Sequence, residues 1–369
     1  MAPHAGIGNN LRVLRSRAGW SQADLGRSSG LSRAEISAIE TGRLVPSTAA
    51  ALALSSALRC TVEAIFHLPR RALEPPGETW AFEPPPGCGR FWRAEVGGCT
   101  RLYPVEVSPL GLLPHDGTLR DGVLDFHPGD DSTRTLVIAS CDPAVTLLHA
   151  ELARTAGLRL IVLPRSSRAA LNLLGQGLVH AAGVHLARSD RTGGNAKAVA
   201  NDLAPVGERE YELLCVADWE EGIALDPSLG LRSVRSVVSA DVRWVSREAG
   251  SAARDCLDEL LGRNRKGRHE RESLHEARSH RGVAEAIRGS WAQAGICLRL
   301  ASDEANLSFL SVRRERYEIC FPQSMAEDPR VAALSNAVRS SRYRRKLGDL
   351  PGYDVSHTGE LNRVAVRRK

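Results

Sequence analysis

The sequence predicts a multidomain chain: a small all-α head, a short β-rich connector and a larger α/β domain. Three observations predict it. Two capped helices joined by a glycine turn stand within residues 21–42. A proline-dense stretch follows at residues 69–87. From residue 133 onward apolar strands alternate with helical segments, the rhythm of a parallel sheet. A length of 369 residues holds two or three such domains with ample core.

The head is read from its caps. Ser21 is placed to start one helix, with Asp24 three residues on; Ser32 starts the next, with Glu35 at the capping-box position. Gly30 lies between them, where the chain reversal needs positive φ. Leu25, Leu31, Ile36 and Ile39 supply the apolar contacts that fix the angle between the helices. This is the layout of a helix-turn-helix unit, whose second helix enters the major groove of double-stranded DNA. The first turn of that helix carries Ser32, Arg33, Ala34 and Ser37. Arg33 suits a bidentate pair with guanine, while Gln22 and Ser32, at helix starts, suit phosphate. Arg43, just beyond the helix, is grouped with these DNA-contacting residues. The plain alternative is an unrelated helical bundle, against which caps, turn and spacing agree.

The stretches Asn10-Leu11-Arg12, Ala18-Gly19-Trp20-Ser21-Gln22, Ile39-Glu40-Thr41-Gly42-Arg43, Pro46-Ser47 and Val62-Glu63-Ala64-Ile65-Phe66 complete the pattern. With them, residues 1–68 resemble the lambda-repressor-like (XRE) helix-turn-helix family. The resemblance implies a five-helix head that binds an operator in double-stranded DNA as a homodimer.

Composition limits the partners. Hydrophobic residues at 43% and charged residues at 25% are ordinary for a soluble protein. The net charge of +6 and pI of about 9.0 favour a polyanionic partner. No apolar run reaches the length of a membrane span, and Met1 to Gly6 lack the basic and apolar regions of a secretory signal. The expectation is a cytoplasmic protein with no membrane partner. The cysteines, at 60, 88, 99, 141, 215, 256, 297 and 320, show no CxxC spacing and are expected as reduced thiols.

Residues 69–87 read as a proline-rich linker. Residues 88–132 read as a small β connector: Arg90–Val96 and Arg101–Val107 flank a Gly97-Gly98 turn, and turn-rich sequence runs on to Asp131. No function is legible there.

Residues 133–369 form the third domain. Strands are expected at residues 135–139, 158–163, 180–186 and 242–245, with helices at residues 144–155, 169–174 and 252–261. Three strand-to-helix turns carry hydroxyls or glycine: Ser140, Ser166-Ser167 and Gly250-Ser251. Ligands of open α/β sheets bind at such turns, where helix N-termini present free amides to an anion. Singly, each turn is an ordinary capped helix; three in one domain point to a site.

The motifs Ser140-Cys141-Asp142-Pro143-Ala144, Ala182-Gly183-Val184-His185-Leu186 and Trp219 to Leu225 belong to a second pattern, with Trp244 to Ser251, His280 to Ala284, Ala292 to Gly295 and Pro351 to Asp354. On these, residues 134–355 resemble the type II periplasmic-binding-protein fold, in the branch related to molybdate-binding domains. The resemblance implies a bilobal sensor with a small effector in the interlobe cleft. The first lobe would hold residues 134–210 and the C-terminal helices, the second residues 217–316, with crossings near Leu213–Val216 and Ile319–Phe321. Relatives often read Gly-Ser-Gly-Thr-Arg where this chain has Gly250-Ser251-Ala252-Ala253-Arg254, which argues against an unmodified molybdate site. The expected ligand contacts are Ser140, Cys141, Asp142, Ser166, Ser167, His185, Gly250, Ser251 and His280, with Arg254 as counter-charge to a probe of anionic type.

Cys141, Cys297, His185 and His280 together offer the soft sulfur and imidazole of a zinc or copper set. Their spacing is no metal motif, so no metal and no cofactor is assigned. The run Arg263 to Arg281 and the cluster Arg342, Arg344, Arg345 and Lys346 suit nucleic acid, or a solvated face. Tyr343 suits base stacking or packing on the lobe. There is no nucleophile elbow, Walker A pattern or HExxH. The expectation is a non-enzymatic regulator whose anionic effector alters operator binding. Its alternatives are a metal- or redox-responsive regulator using Cys141 and Cys297, and an enzyme fused to a DNA-binding head.

Overall fold

Serine side chains set where the second, third and fourth helices begin. The computed structural model describes residues 8–67, 78–128, 131–186, 194–204, 210–262 and 275–366. It divides into two units, the first formed mainly by the N-terminal 75 residues and the second mainly by the rest. The first unit holds α1 (Leu11–Arg17), α2 (Gln22–Ser29), α3 (Arg33–Glu40), α4 (Thr48–Leu58) and α5 (Val62–Ile65). Ser21 Oγ accepts from the Asp24 amide while the Asp24 carboxylate accepts from the Ser21 amide, and Ser32 with Glu35 repeats the exchange. Gly30, at φ +72°, ends α2 in the left-handed region. Gly26 has a different reason: a Cβ there would lie 2.7 Å from the Leu31 carbonyl oxygen, so α2 and the turn to α3 meet backbone to backbone. Leu11, Leu25, Ile36, Ile39, Leu54 and Ile65 form the core. β1 (Gly8–Asn9) pairs antiparallel with β2 (Phe66–His67) and ties the two ends of the unit together.

The second unit opens with a sheet of β3 (Glu78–Trp80), β4 (Arg90–Val96), β5 (Cys99–Pro104), β6 (Gly117–Arg120) and β7 (Val123–Phe126), in the order β3-β5-β4-β6-β7. The linker expected to reach residue 87 is thereby corrected. Its residues Glu78–Trp80 pair parallel with β5, and its prolines 84–86 follow the strand rather than interrupt it. Nor is the sheet a separate connector. Trp92, Tyr103 and Leu113 share one apolar core with Val137, Ile161, Leu171 and Tyr211 of the α/β domain. Tyr103 donates to the Leu178 carbonyl at 2.7 Å. Asp116, fully buried, accepts from both terminal nitrogens of Arg159 and from the Arg93 amide. His180 accepts from the Val137 amide on Nδ1 at 2.9 Å, so its Nε2–H donates to the Glu95 carbonyl at 3.0 Å.

The α/β domain runs β8 (Thr135–Ser140), α6 (Val145–Ala156), β9 (Arg159–Pro164), α7 (Ser167–Gly175), β10 (Ala181–Val184), α8 (Gly194–Leu203), β11 (Glu210–Leu225), α9 (Val234–Ser239), β12 (Trp244–Arg247), α10 (Ala252–Gly262), β13 (Glu276–Ala277), α11 (His280–Arg288), β14 (Ala294–Leu298), α12 (Arg299–Glu304), β15 (Ser308–Pro322), α13 (Pro329–Arg339), α14 (Ser341–Gly348), β16 (Tyr353–Asp354) and β17 (Leu361–Ala365). β9, β8 and β10 are parallel, as are β13, β12 and β14. The sheet as a whole is mixed rather than parallel, because β11 and β15 run antiparallel to each other and β15 antiparallel to β10. These two strands carry the chain out of the first lobe and back. The N-terminal half of β11 pairs with β17, and its C-terminal half pairs with β14. Each lobe then covers both faces of its own sheet with helices.

Two predictions follow from the docked β sheet. Asp116→Ala leaves the Arg159 guanidinium without its buried partner and should cost about 3 kcal/mol in chemical denaturation; a midpoint unchanged from wild type contradicts the docking. Burial depresses His180 to about 4. Below its ordinary value of about 6.5 the unfolded chain binds the proton and the folded chain does not, so stability is full above that value and falls as pH drops toward 4. His180 should contribute a loss on the order of 2 kcal/mol between pH 7.5 and 5. His180→Gln should shrink the difference in urea midpoint between those conditions; an undiminished difference contradicts the assignment.

Candidate functional site

Strand register builds the site. Ala217, Trp219 and Glu221 of β11 lie opposite Tyr317, Glu315 and Arg313 of β15, and alternation puts all six on one face. Trp219 stacks on Tyr317 with ring centroids 4.5 Å apart and planes at 11°. Gly183 on β10 allows this: a Cβ there would lie 2.5 Å from the Tyr317 hydroxyl. That hydroxyl meets Ser140 Oγ, at the end of β8, at 2.6 Å. Ser140 Oγ also accepts from the Asp142 amide at 3.1 Å. Asp142 accepts from the Ala144 amide at 2.9 Å and from the Tyr353 hydroxyl at 2.8 Å; burial pushes its carboxyl up.

His185 follows β10 and stands at the centre. Its amide donates to Ser167 Oγ at 3.1 Å. Its Nδ1 lies 2.8 Å from Glu315 Oε2, and its Nε2 lies 3.0 Å from Cys141 Sγ. Burial works against a charged imidazole here, but the adjoining Cys141 sulfur and Glu315 carboxylate outweigh it and hold His185 above its ordinary range. Arg313 bridges the two acids, 2.7 Å from Glu221 and 2.5 Å from Glu315. Burial, reinforced by Glu315, raises Glu221; the His185 bond and Arg313 overcome burial and hold Glu315 low.

The second lobe closes over this face. His280 begins α11, whose N-cap Ser279 accepts from the Gly282 amide at 2.9 Å. His280 is 1% exposed, and neither ring nitrogen has a hydrogen-bond partner among the described residues. Burial, then the charges of Arg247 and His185, push it well down, so it is neutral. Arg247, at the end of β12, holds Glu248 at 2.8 and 2.9 Å, while its buried Nη1 has no partner among the described residues. The lobes touch elsewhere too. Arg281 of α11 donates to the Pro143 carbonyl at 2.9 Å, and a Cβ on Gly250 would lie 3.7 Å from Cδ of Arg168 on α7.

The expected ligand contacts divide on this geometry. Ser140, Cys141, Asp142, Ser167, His185 and His280 gather at the seam. Ser166 caps α7 without a side-chain cap bond and is buried. Ser251 and Arg254 have partners of their own. Ser251 Oγ donates to the Glu248 carbonyl at 2.9 Å and accepts from the Arg254 amide. Arg254 pairs with Asp258 at 2.9 Å and donates to Ser246 at 3.0 Å. Cys297 is corrected: it is fully buried in the apolar core of the second lobe, which drives its thiol far up, and it is no member of the Cys141 cluster. Tyr343 packs in the first-lobe core. Of the basic run Arg263 to Arg281, residues 263–274 lie outside the described residues.

In the first unit, Ser32, Arg33, Ala34 and Arg43 are exposed and Ser37 is half-buried. Gln22 has a structural engagement: its Nε2 donates to Glu40 Oε2 at 2.9 Å, beside the Arg15–Glu40 ion pair of 2.6 Å.

Sequence reasoning assigned no site role to Trp219, Glu221, Arg247, Arg313, Glu315 or Tyr317. The available signal was acidic residues inside the long apolar run Tyr211 to Leu225, since a charge on a buried strand needs a partner. The partner strand is nearly a hundred residues away and its register is invisible in the sequence.

The family described as "PBP superfamily domain" matches residues 149–339, and the "Helix-turn-helix domain" matches residues 7–68. The uncharacterized HTH-type transcriptional regulator YgzD of Bacillus subtilis (strain 168) is 40% identical over 60 residues, 16% of this chain and 91% of that protein. The uncharacterized protein in the ferredoxin 2Fe-2S gene 5′ region of Clostridium pasteurianum is 29% identical over 91 residues, 23% of this chain and 77% of that protein. A solved putative phosphate ABC transporter substrate-binding protein with bound phosphate, from Clostridium perfringens, aligns with TM-score 0.43 and 11% identity over 63% of this chain and 100% of that one. The chain belongs to the PBP superfamily and carries a helix-turn-helix domain ahead of its PBP domain.

Proposed function

We propose that the protein is a transcriptional regulator that binds operator DNA through α3 and a small effector at the interlobe seam. One observation carries the reading. A capped, exposed recognition turn, led by Arg33, shares a chain with a two-lobed domain whose seam buries polar groups of both lobes, two of them with nitrogens unpartnered among the described residues. Unpartnered buried donors and acceptors are costly, and a ligand that satisfies them favours the closed arrangement. DNA affinity then shifts by the difference in that ligand's affinity for the two arrangements. The head acts as a homodimer on an inverted repeat, because one such module contacts too little DNA for strong specificity. The effector is anionic in this reading: Arg247 Nη1 and the helix start after Ser140 favour negative charge. The protein works in the cytoplasm, as a sensor rather than an enzyme. No helix of the described residues is long and apolar enough to cross a membrane.

A second reading, thiol sensing at Cys141, is favoured by the line Cys141–His185–Glu315, in which an imidazole oriented by a carboxylate meets a sulfur.

Operator duplexes selected from random sequence test the first reading. Arg33→Ala should weaken binding by about 1–3 kcal/mol and relax preference at one base pair per half-site. An unchanged operator preference removes Arg33 from base readout.

A further inference from the structure

We propose that Cys141, His185 and His280 form a site for one transition-metal ion of the zinc type, bridging the two lobes. That this ion acts as the anchor for the anionic effector, through its fourth coordination position, rests on the regulator reading above.

The geometry suits such an ion. One ligand atom from each residue lies within 4.8 Å of the others, and Cys141 Sγ is 3.0 Å from His185 Nε2. Tetrahedral zinc, with bonds of about 2.0–2.3 Å, holds its ligands roughly 3.3–3.8 Å apart, so the three need move by only about 1 Å. One thiolate with two imidazoles is a soft-to-borderline donor set, unlike the oxygen cages of magnesium or calcium.

The surroundings suit it as well. Glu315 Oε2 takes the Nδ1–H of His185 at 2.8 Å, so Nε2 is the nitrogen aimed at Cys141 and the one that would exchange its proton for the ion. Arg313 holds that carboxylate in turn. Metal-bound histidines are oriented by partners of this kind. His280 is the independent observation. Its ring is buried beside His185 and Trp219, with centroids 5.9 and 6.3 Å away, and neither of its nitrogens has a hydrogen-bond partner among the described residues. A reactive thiol would use Cys141, His185 and Glu315 but would leave His280 unexplained; coordination gives it a partner. Cys141 and His185 follow first-lobe strands while His280 starts a second-lobe helix, so an ion held by all three joins the lobes. The fourth coordination position falls to water or a small donor molecule.

The test uses the full chain, stripped with a chelator under reducing conditions. Zinc sulfate is titrated by calorimetry, and cobalt(II) chloride by absorption. The expected result is one ion per chain, with cobalt giving a sulfur-to-metal charge-transfer band. Cys141→Ser should abolish that band and lower zinc affinity by about 100-fold or more, while His280→Asn and Glu315→Gln should each lower it by about 10–100-fold. Cys297→Ser should keep wild-type affinity. Where a variant fails to fold by circular dichroism, the wild type still decides: zinc should slow alkylation of Cys141 by iodoacetamide about tenfold, read by peptide mass spectrometry. No bound ion, or an ion retained equally by Cys141→Ser and His280→Asn, overturns the site. A chain that binds no zinc, yet whose DNA affinity responds to another small molecule, overturns the metal site and leaves the regulator reading standing. A chain that binds zinc without any change in DNA affinity upholds the site and overturns the ion's part in regulation.

Discussion

The antiparallel pairing of β11 with β15, from Tyr211 opposite Pro322 to Leu225 opposite Ser308, is the constraint on which the PBP domain depends. It makes the connection between lobes, because each strand enters both. It also makes the floor of the seam, because alternation along β11 presents Ala217, Trp219 and Glu221 together. A slip of one residue would send Trp219 and Glu221 to the other face and separate them from Tyr317, Glu315 and Arg313. Register shifts between Cys215 and Ala217 and between Glu221 and Gly222 fall at either end of this floor. Bulges of this kind bend and twist a strand and re-aim its side chains, which is what a strand passing between lobes requires.

The charges buried on that floor are not there for stability alone. Glu221 and Glu315 are almost wholly removed from water, and Arg313 nearly so. Desolvation of such groups is comparable to the attraction they recover, and an apolar floor of the same volume would serve the fold as well or better. What the network supplies is position. Arg313 fixes Glu315, Glu315 fixes the His185 ring, and the ring presents Nε2 to Cys141. Across the seam, His280 and Arg247 keep nitrogens without hydrogen-bond partners among the described residues. Groups held at such cost are concentrated where something else is meant to meet them.

Much of the chain was legible beforehand where the physics is local. The caps at Ser21 and Ser32, the reversal at Gly30, and strands β8 and β9 with helices α6 and α10 depend on neighbours within one turn or one run. Cys141, His185 and His280 were legible as candidates because each sits at a strand end or a helix start. Their convergence was not, since it depends on lobe closure and on register across a long interval. The partners of Ser251 and Arg254 were hidden for a related reason: a hydroxyl at a helix start has its own turn as a competing partner, and here Glu248, Asp258 and Ser246 take bonds that an anion would compete for. The strand Glu78–Trp80 is masked by the proline density of the whole stretch, whereas each proline constrains only itself and its immediate neighbour.

Linkage tests most directly the claim that the seam and the DNA-binding head share one equilibrium. Zinc affinity of the full chain is measured by calorimetry with and without a saturating selected operator duplex, and operator affinity is measured by fluorescence anisotropy with and without zinc. Thermodynamic reciprocity requires the two factors to be equal, and for a coupling of typical size they should lie at about 5–150-fold. Zinc affinity that is the same with and without the operator, in a chain that binds both, would contradict the account.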